Sequence, residues 1–170
     1  MVNKINFSKF SYLISDWDGT LADFFKLHTE SFVKTVHSSF GVDKEKAKEI
    51  YINTDGTALT LQIKRAAEAV GFSVPDTLPY EDKFWENLKG ARGEAIPSTK
   101  EFLTLLKNKG FKIAVWSGTK TDVLHERIKL LSFSSLVDFY IGNELEVRNK
   151  LKGLSFLQKS PSVSEYRKKS

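Results

Sequence analysis

The chain has 170 residues and no Cys, and 26 Lys and Arg against 21 Asp and Glu give it a formal net charge of +5. This length suits one ordinary domain, or a small core that carries an insertion. With 41% hydrophobic and 28% charged residues, the composition excludes a disordered polymer and a membrane bundle. The lack of Cys excludes thiolate zinc sites, iron–sulfur clusters and cysteine nucleophiles.

The charge pattern and the N-terminal segment limit the cellular location and the classes of partner that we expect. No apolar run of about 7–15 residues typical of a signal peptide precedes Leu21, and no segment approaches the ~20 residues that span a bilayer. We therefore expect a cytoplasmic protein without a membrane partner. Basic and acidic residues alternate, as in Lys44–Glu49, which is typical of a solvated helix face and predicts no nucleic-acid partner. The positive charge equally suits an anionic small substrate.

The first predicted element is a strand, Tyr12–Ser15, which stops at the acidic and Gly-containing run Asp16–Thr20. From about Ala22 to Leu88 the apolar residues follow helical periodicity, and we predict no strand there. Gly41 is expected to end the first of these helices, and Asp43 is expected to cap the next one.

After a joint at residues 90–93 the pattern changes to alternating helix and strand. The Ser98 and Glu101 spacing is that of a capping box, which predicts a helix start. Strands are predicted at Phe111–Trp116 and Asp138–Ile141, with a helix between them. This alternation predicts an α/β core with a parallel sheet and right-handed crossovers. The predicted core comprises residues 1–21 and 95–170, and a helical insertion occupies residues 22–94.

Polar side chains stand where the predicted strands end. Asp16 and Asp18 follow the first strand, and Ser117 follows the second, at the sheet edge where ligands of parallel sheets bind. Residues at i and i+2 leave a strand on the same side, so the two carboxylates can address one small group while Trp17 packs the other way. A cation such as Mg²⁺ relieves the repulsion between such carboxylates. An acidic surface turn is the simpler alternative.

These residues carry a resemblance to a known family. The segment Leu13–Leu21 resembles the first signature of the haloacid dehalogenase-like (HAD) superfamily, an apolar strand followed by D-x-D-G-T-[LV]. The stretch from Ile96 to Thr119 is similar to the family's helix, strand and second signature, in which Ser117 ends the strand. The run after Ile141 has the spacing that leads to the third signature, Lys150. The resemblance implies a Rossmann-like parallel sheet with a helical cap, as in the branch of phosphoglycolate phosphatases and β-phosphoglucomutases.

The resemblance also implies phosphoryl transfer through the enzyme. Asp16 is the implied nucleophile, which forms an aspartyl-phosphate. Asp18 is the implied acid and base. Ser117 would hold a phosphoryl oxygen, and Lys150 would balance charge. The implied cofactor is Mg²⁺, bound by one Asp16 oxygen and the Asp18 backbone carbonyl, and the expected substrate is a small phosphorylated metabolite such as a sugar phosphate or phosphoglycolate.

Three further residues are candidates for substrate contacts: Thr20, Gly118 and His28. His28 lies ten residues after Asp18, which is the spacing of a hinge His in the sugar-phosphate mutases of the superfamily. A surface or packed His on an amphipathic helix is the alternative, and mutase activity rests on this residue alone.

The chain departs from the family pattern at its third and fourth signatures. The usual Pro after the signature Lys is Leu151, which leaves Lys152 and Arg148 as alternatives to Lys150. The fourth signature, an acidic loop, is absent, since the only acidic residue beyond Lys150 is Glu165. Three explanations follow: a fragment or truncated phosphatase, a divergent short member, or a noncatalytic module that binds phosphate or a partner. An open sheet edge would favour a dimer.

Overall fold

The structure is a computed structural model that describes residues 11–143. Its helices in this part of the chain are α1 (Phe25–Phe40), α2 (Lys44–Asn53), α3 (Leu59–Glu68), α4 (Leu78–Asn87), α5 (Thr99–Asn108) and α6 (Thr121–Leu130). Its strands are β1 (Tyr12–Ser15), β2 (Ala22–Asp23), β3 (Glu94–Ala95), β4 (Lys112–Trp116) and β5 (Phe139–Ile141).

A parallel sheet of order β1-β4-β5 forms the centre of the α/β part. Leu13 lies beside Ile113, and Ala114 lies beside Phe139. Three successive residues of β4, from Ile113 to Val115, are buried, as expected for a strand covered on both faces. The predicted parallel sheet is confirmed, and its three strands lie within one residue of their predicted bounds.

A short antiparallel ribbon, β2 with β3, is formed by the residues that flank residues 24–93 in the chain. In it, Ala22 pairs with Ala95 and Asp23 with Glu94. The prediction that no strand occurs between Ala22 and Leu88 is therefore wrong at the first two residues of that stretch. Two residues are too few to show the alternation by which a strand is recognised. Residues 24–93 form one compact unit, and the described residues on either side of them belong to the other.

The unit of residues 24–93 is a helical bundle with its own core, in which Phe32, Val36 and Ile63 are fully buried. α1 ends at Gly41, whose φ of 73° is in the left-handed region that favours Gly. The Asp43 carboxylate accepts the first N–H groups of α2, which satisfies donors that the helix leaves free. Both helix-end predictions are confirmed. Among the described helices, none is long and apolar enough to cross a membrane.

The predicted capping box of α5 is wrong. Ser98 precedes the helix with φ 65° and makes no side-chain cap hydrogen bond, whereas a capping Ser needs an extended backbone to reach the N–H groups of the first turn. The Thr99 hydroxyl donates instead to the Ile96 carbonyl at 2.7 Å.

Asp138, directly before β5, joins that end of the sheet to α5. Both of its carboxylate oxygens accept from Lys107 Nζ, at 2.7 and 2.8 Å, and Oδ2 also accepts from the Ile113 N–H at 2.8 Å. Burial raises the pKa of this carboxyl, but the bonds from Lys107 and Ile113 and the charges of Lys107 and Lys112 outweigh burial and lower the pKa below its ordinary 3.8.

We expect Asp138→Asn to lower the free energy of unfolding at pH 7 by about 1–3 kcal/mol, because it removes hydrogen bonds to a charged group. A carboxyl whose pKa is lowered by folding stabilises the fold above its unfolded value of 3.8, and this stabilisation is lost as the pH falls through the folded value. Urea unfolding at pH 7 and at pH 3 measures the difference, which should shrink at pH 3. Asp43→Asn is the control, because Asn caps a helix as well as Asp does. An equal loss at both pH values would contradict the prediction.

Candidate active site

A tight turn after β1 carries the two predicted acidic residues. The Trp17 carbonyl accepts the N–H groups of Thr20, Leu21 and Ala22 at 3.3, 2.9 and 3.1 Å. Gly19 has a φ of 74°. Gly adopts this left-handed backbone without strain, whereas a residue that has a side chain would be destabilised there. The Gly of the D-x-D-G spacing therefore has a local structural reason.

Trp17 anchors this turn to the core, as predicted. Its side chain is fully buried, and its ring meets that of Phe133 edge to face at 5.2 Å between centroids. The acidic residues on either side of Trp17 are exposed or half-buried, so the turn buries its apolar residue and leaves its carboxylates at the surface of the sheet edge.

The Asp18 carboxylate meets the loop that follows β4. Its Oδ2 accepts from the Ser117 hydroxyl at 3.1 Å and from the Thr119 hydroxyl at 2.7 Å. The Ser117 Oγ in turn accepts the Thr119 N–H at 3.0 Å. Both hydroxyl residues are buried. The structure thus joins the first and second signatures through Asp18, and Thr119 is a site residue for which the sequence suggested no role.

A second residue that the sequence did not reveal is Arg127. Its side chain is 3% exposed, and Nη1 lies 3.2 Å from Asp18 Oδ1 and 3.3 Å from Thr119 Oγ1. Arg127 lies on α6 between Leu124 and Ile128, both buried. An Arg within an apolar helix face was the available signal, because such a charge is rarely buried without a partner.

The chain after β5 packs closely against the loop that carries Thr119. The Asn143 N–H donates to the Thr119 carbonyl at 2.8 Å, and the Gly142 N–H donates to the Thr121 hydroxyl at 3.1 Å. A Cβ on Gly142 would lie 2.4 Å from the Thr121 backbone nitrogen and 2.5 Å from the Thr119 carbonyl oxygen. Glycine at this position therefore lets the two loops meet.

Asp16 occupies the exposed side of the turn. Its Oδ1 accepts the Trp17 N–H at 2.8 Å, a bond that orients the carboxylate beside the end of β1. The structure brings Asp18 and Ser117 into contact, whereas the described contacts of the Asp16 side chain are local. The predicted substrate residues Thr20 and Gly118 are both exposed on the turns after β1 and β4.

The remaining predicted residues lie elsewhere. His28 belongs to the helical unit, where its ring lies 5.8 Å from that of Phe84 and 6.0 Å from that of Trp85, between centroids. Lys150, and its alternatives Arg148 and Lys152, lie outside the described residues.

The oxygen atoms of this turn are of the kind that Mg²⁺ binds. Asp16 offers an exposed carboxylate and Asp18 a backbone carbonyl, and Mg²⁺ prefers such oxygen ligands. Between residues 11 and 143, no three His, Asp or Glu side chains are grouped closely enough to hold a cation together. Mg²⁺ often binds with one or two carboxylates plus water and substrate phosphate oxygens, and the residues present suit that mode of binding.

Comparison with known proteins gives consistent matches. The family described as haloacid dehalogenase-like hydrolase matches residues 13–153. The chain is 29% identical to a Caldanaerobacter subterraneus subsp. tengcongensis protein named "Putative pyrophosphatase PpaX", over 90% of this chain and 70% of that protein.

Two solved structures are similar in fold. One is described as a predicted phosphoglycolate phosphatase from Haemophilus somnus, with 17% identity, a TM-score of 0.64, and coverage of 79% of this chain and 63% of that one. The other is described as a "putative beta-phosphoglucomutase" from Thermotoga maritima, with 21% identity, a TM-score of 0.58, and coverage of 82% and 64%. The chain thus spans less than two thirds of the length of either structure.

Proposed function

Because the chain belongs to the haloacid dehalogenase-like hydrolase family, we propose that it is a Mg²⁺-dependent phosphatase that acts through an aspartyl-phosphate on Asp16. The observation that carries this proposal is the Asp18 carboxylate, held by the Ser117 and Thr119 hydroxyls at the sheet edge where Asp16 is exposed. Two-step phosphoryl transfer uses a nucleophile and a group that transfers protons, and this one short turn carries a candidate for each.

In the first step, an Asp16 carboxylate oxygen attacks phosphorus, and the bond from phosphorus to the leaving oxygen breaks. The Trp17 N–H orients the carboxylate through Oδ1. The exposure of Asp16 leaves room for the phosphoryl group to approach. Positioning of this kind accounts for much of the rate of phosphoryl transfer.

Asp18 gives the leaving oxygen its proton. In the second step Asp18 takes a proton from a water whose oxygen bonds to phosphorus, while the bond from phosphorus to the Asp16 oxygen breaks. The Ser117 hydroxyl donates to Asp18 Oδ2. To hold a phosphoryl oxygen, this hydroxyl must rotate, and Thr119 then remains as the hydroxyl donor to Asp18. The predicted charge-balancing Lys150 lies outside the described residues.

Mg²⁺, when bound, neutralises charge on the phosphoryl oxygens. We expect it to bind Asp16 and the Asp18 backbone carbonyl, since no group of three His, Asp or Glu side chains within residues 11–143 could hold it instead. Binding should therefore be weak, and hydrolysis should need millimolar Mg²⁺.

The test is hydrolysis of 4-nitrophenyl phosphate and of pyrophosphate with Mg²⁺ from zero to about 20 mM, a range chosen to cover weak binding. We expect no turnover in excess EDTA, and recovery on adding Mg²⁺ back. Ca²⁺ at the same concentration is the control, because it shares the charge but not the octahedral preference. Full activity in EDTA would contradict the metal requirement, and inactivity at every Mg²⁺ concentration would support a noncatalytic module that binds phosphate or a partner.

We propose a small phosphorylated metabolite as the substrate class. The name of the PpaX relative suggests a phosphate anhydride, and those of the solved structures suggest phosphoglycolate or a sugar phosphate. The role of His28 in a mutase reaction stays a prediction, because its described ring contacts are those of a packed aromatic cluster.

Dimerisation through the edge of β1 also stays a prediction. Within the described residues β1 pairs on one side only, with β4, and Tyr12 and Ile14 are 63% and 45% exposed. We expect light scattering to give the mass of a dimer, and Ile14→Lys to give that of a monomer, because charges on an edge strand oppose pairing. A wild-type monomer at high concentration would contradict this prediction.

A further inference from the structure

Resting on the proposed phosphatase function, we propose that Arg127 is a positioning residue for the reaction. In this proposal, Arg127 holds the Asp18 carboxylate in the orientation that delivers a proton to the leaving oxygen. Arg127 itself neither bonds to the substrate nor transfers a proton, and it acts only through Asp18.

The burial of Arg127 is the first observation behind this proposal. Its side chain is 3% exposed, against 27% for that of Asp18, and its neighbours Leu124 and Ile128 on α6 are buried. A guanidinium in such a place costs much desolvation free energy, which an ion pair and hydrogen bonds must offset. A hydrophobic residue would fill this helix face without that desolvation cost. Packing therefore does not explain why a charged residue occupies the position.

The second observation is the arrangement of donors around Asp18. Arg127 lies on the Oδ1 side at 3.2 Å, whereas Ser117 and Thr119 donate to Oδ2 at 3.1 and 2.7 Å. Donors on both oxygens fix the rotation of the carboxylate about its last bond. An ionised carboxylate has about four acceptor positions. Once Ser117 turns to the phosphoryl oxygen, Thr119 and Arg127 still hold one oxygen each, which leaves room for the proton that the reaction moves.

The third observation links Arg127 to the hydroxyl that also holds Asp18. Arg127 Nη1 lies 3.3 Å from Thr119 Oγ1, so the Arg contacts both the carboxylate and one of its other donors. Loss of Arg127 would therefore free Oδ1 and loosen the donor on Oδ2 together. Small displacements of a reacting group can cost about 100-fold in rate.

A purely structural Arg127 would behave differently. Such a residue would lower stability and reduce the rate by a similar factor for every substrate. A residue that acts through the proton donor matters most where the leaving oxygen needs a proton, as in an alkyl phosphate, and matters less for 4-nitrophenyl phosphate, whose leaving group departs as an anion.

The experiment measures kcat/KM for glycerol-2-phosphate and for 4-nitrophenyl phosphate at saturating Mg²⁺, since kcat/KM reports the steps up to departure of the leaving group. The variants are Arg127→Met, Arg127→Lys, Asp18→Asn and the double variant Arg127→Met with Asp18→Asn. Lys129→Met is the matched control, because Lys129 is exposed on the same helix.

For Arg127→Met we expect a loss of about 100-fold on glycerol-2-phosphate and about tenfold or less on 4-nitrophenyl phosphate, with KM little changed. Arg127→Lys should recover part of the loss, because Lys keeps the positive charge but lacks the planar guanidinium with its several N–H donors. The double variant should be no slower than Asp18→Asn, because the Arg has nothing left to position.

Equal losses on the two substrates, or a double variant slower than Asp18→Asn, would overturn the proposal. Far-ultraviolet circular dichroism and urea unfolding verify that each variant is folded, and if Arg127→Met does not fold, the leaving-group dependence of Arg127→Lys decides. A wild type that hydrolyses neither substrate overturns the proposed function and this inference with it. An active wild type whose Arg127 variants behave like Lys129→Met overturns the inference alone.

Discussion

Asp16→Asn is expected to lower kcat for phosphate hydrolysis by at least about a thousandfold, because an amide cannot form the aspartyl-phosphate on which both steps depend. KM should change little, since Asn keeps the size of Asp and its carbonyl oxygen still accepts the Trp17 N–H that Asp16 Oδ1 accepts at 2.8 Å. The measurement is steady-state hydrolysis of 4-nitrophenyl phosphate at saturating Mg²⁺.

The chain offers a close control for this substitution. Asp122 is exposed, and its Oδ1 accepts the N–H of the next residue, Val123, at 2.8 Å, the same contact that Asp16 makes. Asp122→Asn should leave kcat within about twofold, as surface changes usually do. An Asp16→Asn variant that retains wild-type kcat would contradict the covalent mechanism. As a direct measurement, mass spectrometry of acid-quenched wild-type enzyme should show a phosphorylated Asp16.

Gly142→Ala is expected to lower the free energy of unfolding by about 1–3 kcal/mol, because a Cβ placed 2.4–2.5 Å from backbone atoms of Thr119 and Thr121 forces the loops apart. The atoms that it meets are backbone and cannot rotate away. Separation would break the bond from the Asn143 N–H to the Thr119 carbonyl. It would also shift the Thr119 hydroxyl away from Asp18 Oδ2.

Activity should therefore fall further than stability alone explains, by about 10- to 100-fold in kcat at a temperature where the variant is fully folded. Urea unfolding and steady-state kinetics on the same preparation measure the two effects. Gly118→Ala is the control for stability, because a Cβ at Gly118 meets no atom within 4 Å. A Gly142→Ala variant as stable as Gly118→Ala would show that the loops separate at no cost.

Most of the fold could be predicted because its signals are local. β1, β4 and β5 appear as short apolar runs and the helices as regular periodicity, and Asp43 and Gly41 mark helix ends by their own chemistry. The errors occurred where local signals are weak. β2 has two residues, and the α5 capping box failed because Ser98 adopts a left-handed backbone that spacing does not reveal.

The family prediction is confirmed by the match over residues 13–153, and the contact between Asp18 and Ser117 agrees with the signatures on which it rested. Thr119, Arg127 and Gly142 were not identified as site residues. Arg127 could have been noticed as a charge on the apolar face of α6, but its partner could not, because Asp18 lies 109 residues earlier in the chain.

The sequence by itself determined the order of the helices and of the strands β1, β4 and β5, the family and the acidic turn after the first strand. Periodicity, turn residues and signature spacing are all properties of neighbouring residues. Only the tertiary structure decided which donors surround Asp18 and where a Cβ is forbidden. Those contacts depend on sheet register and on the packing of α6 and the β5 loop against the β4 loop, and the cost of burying a charge or crowding a backbone arises only when distant segments meet.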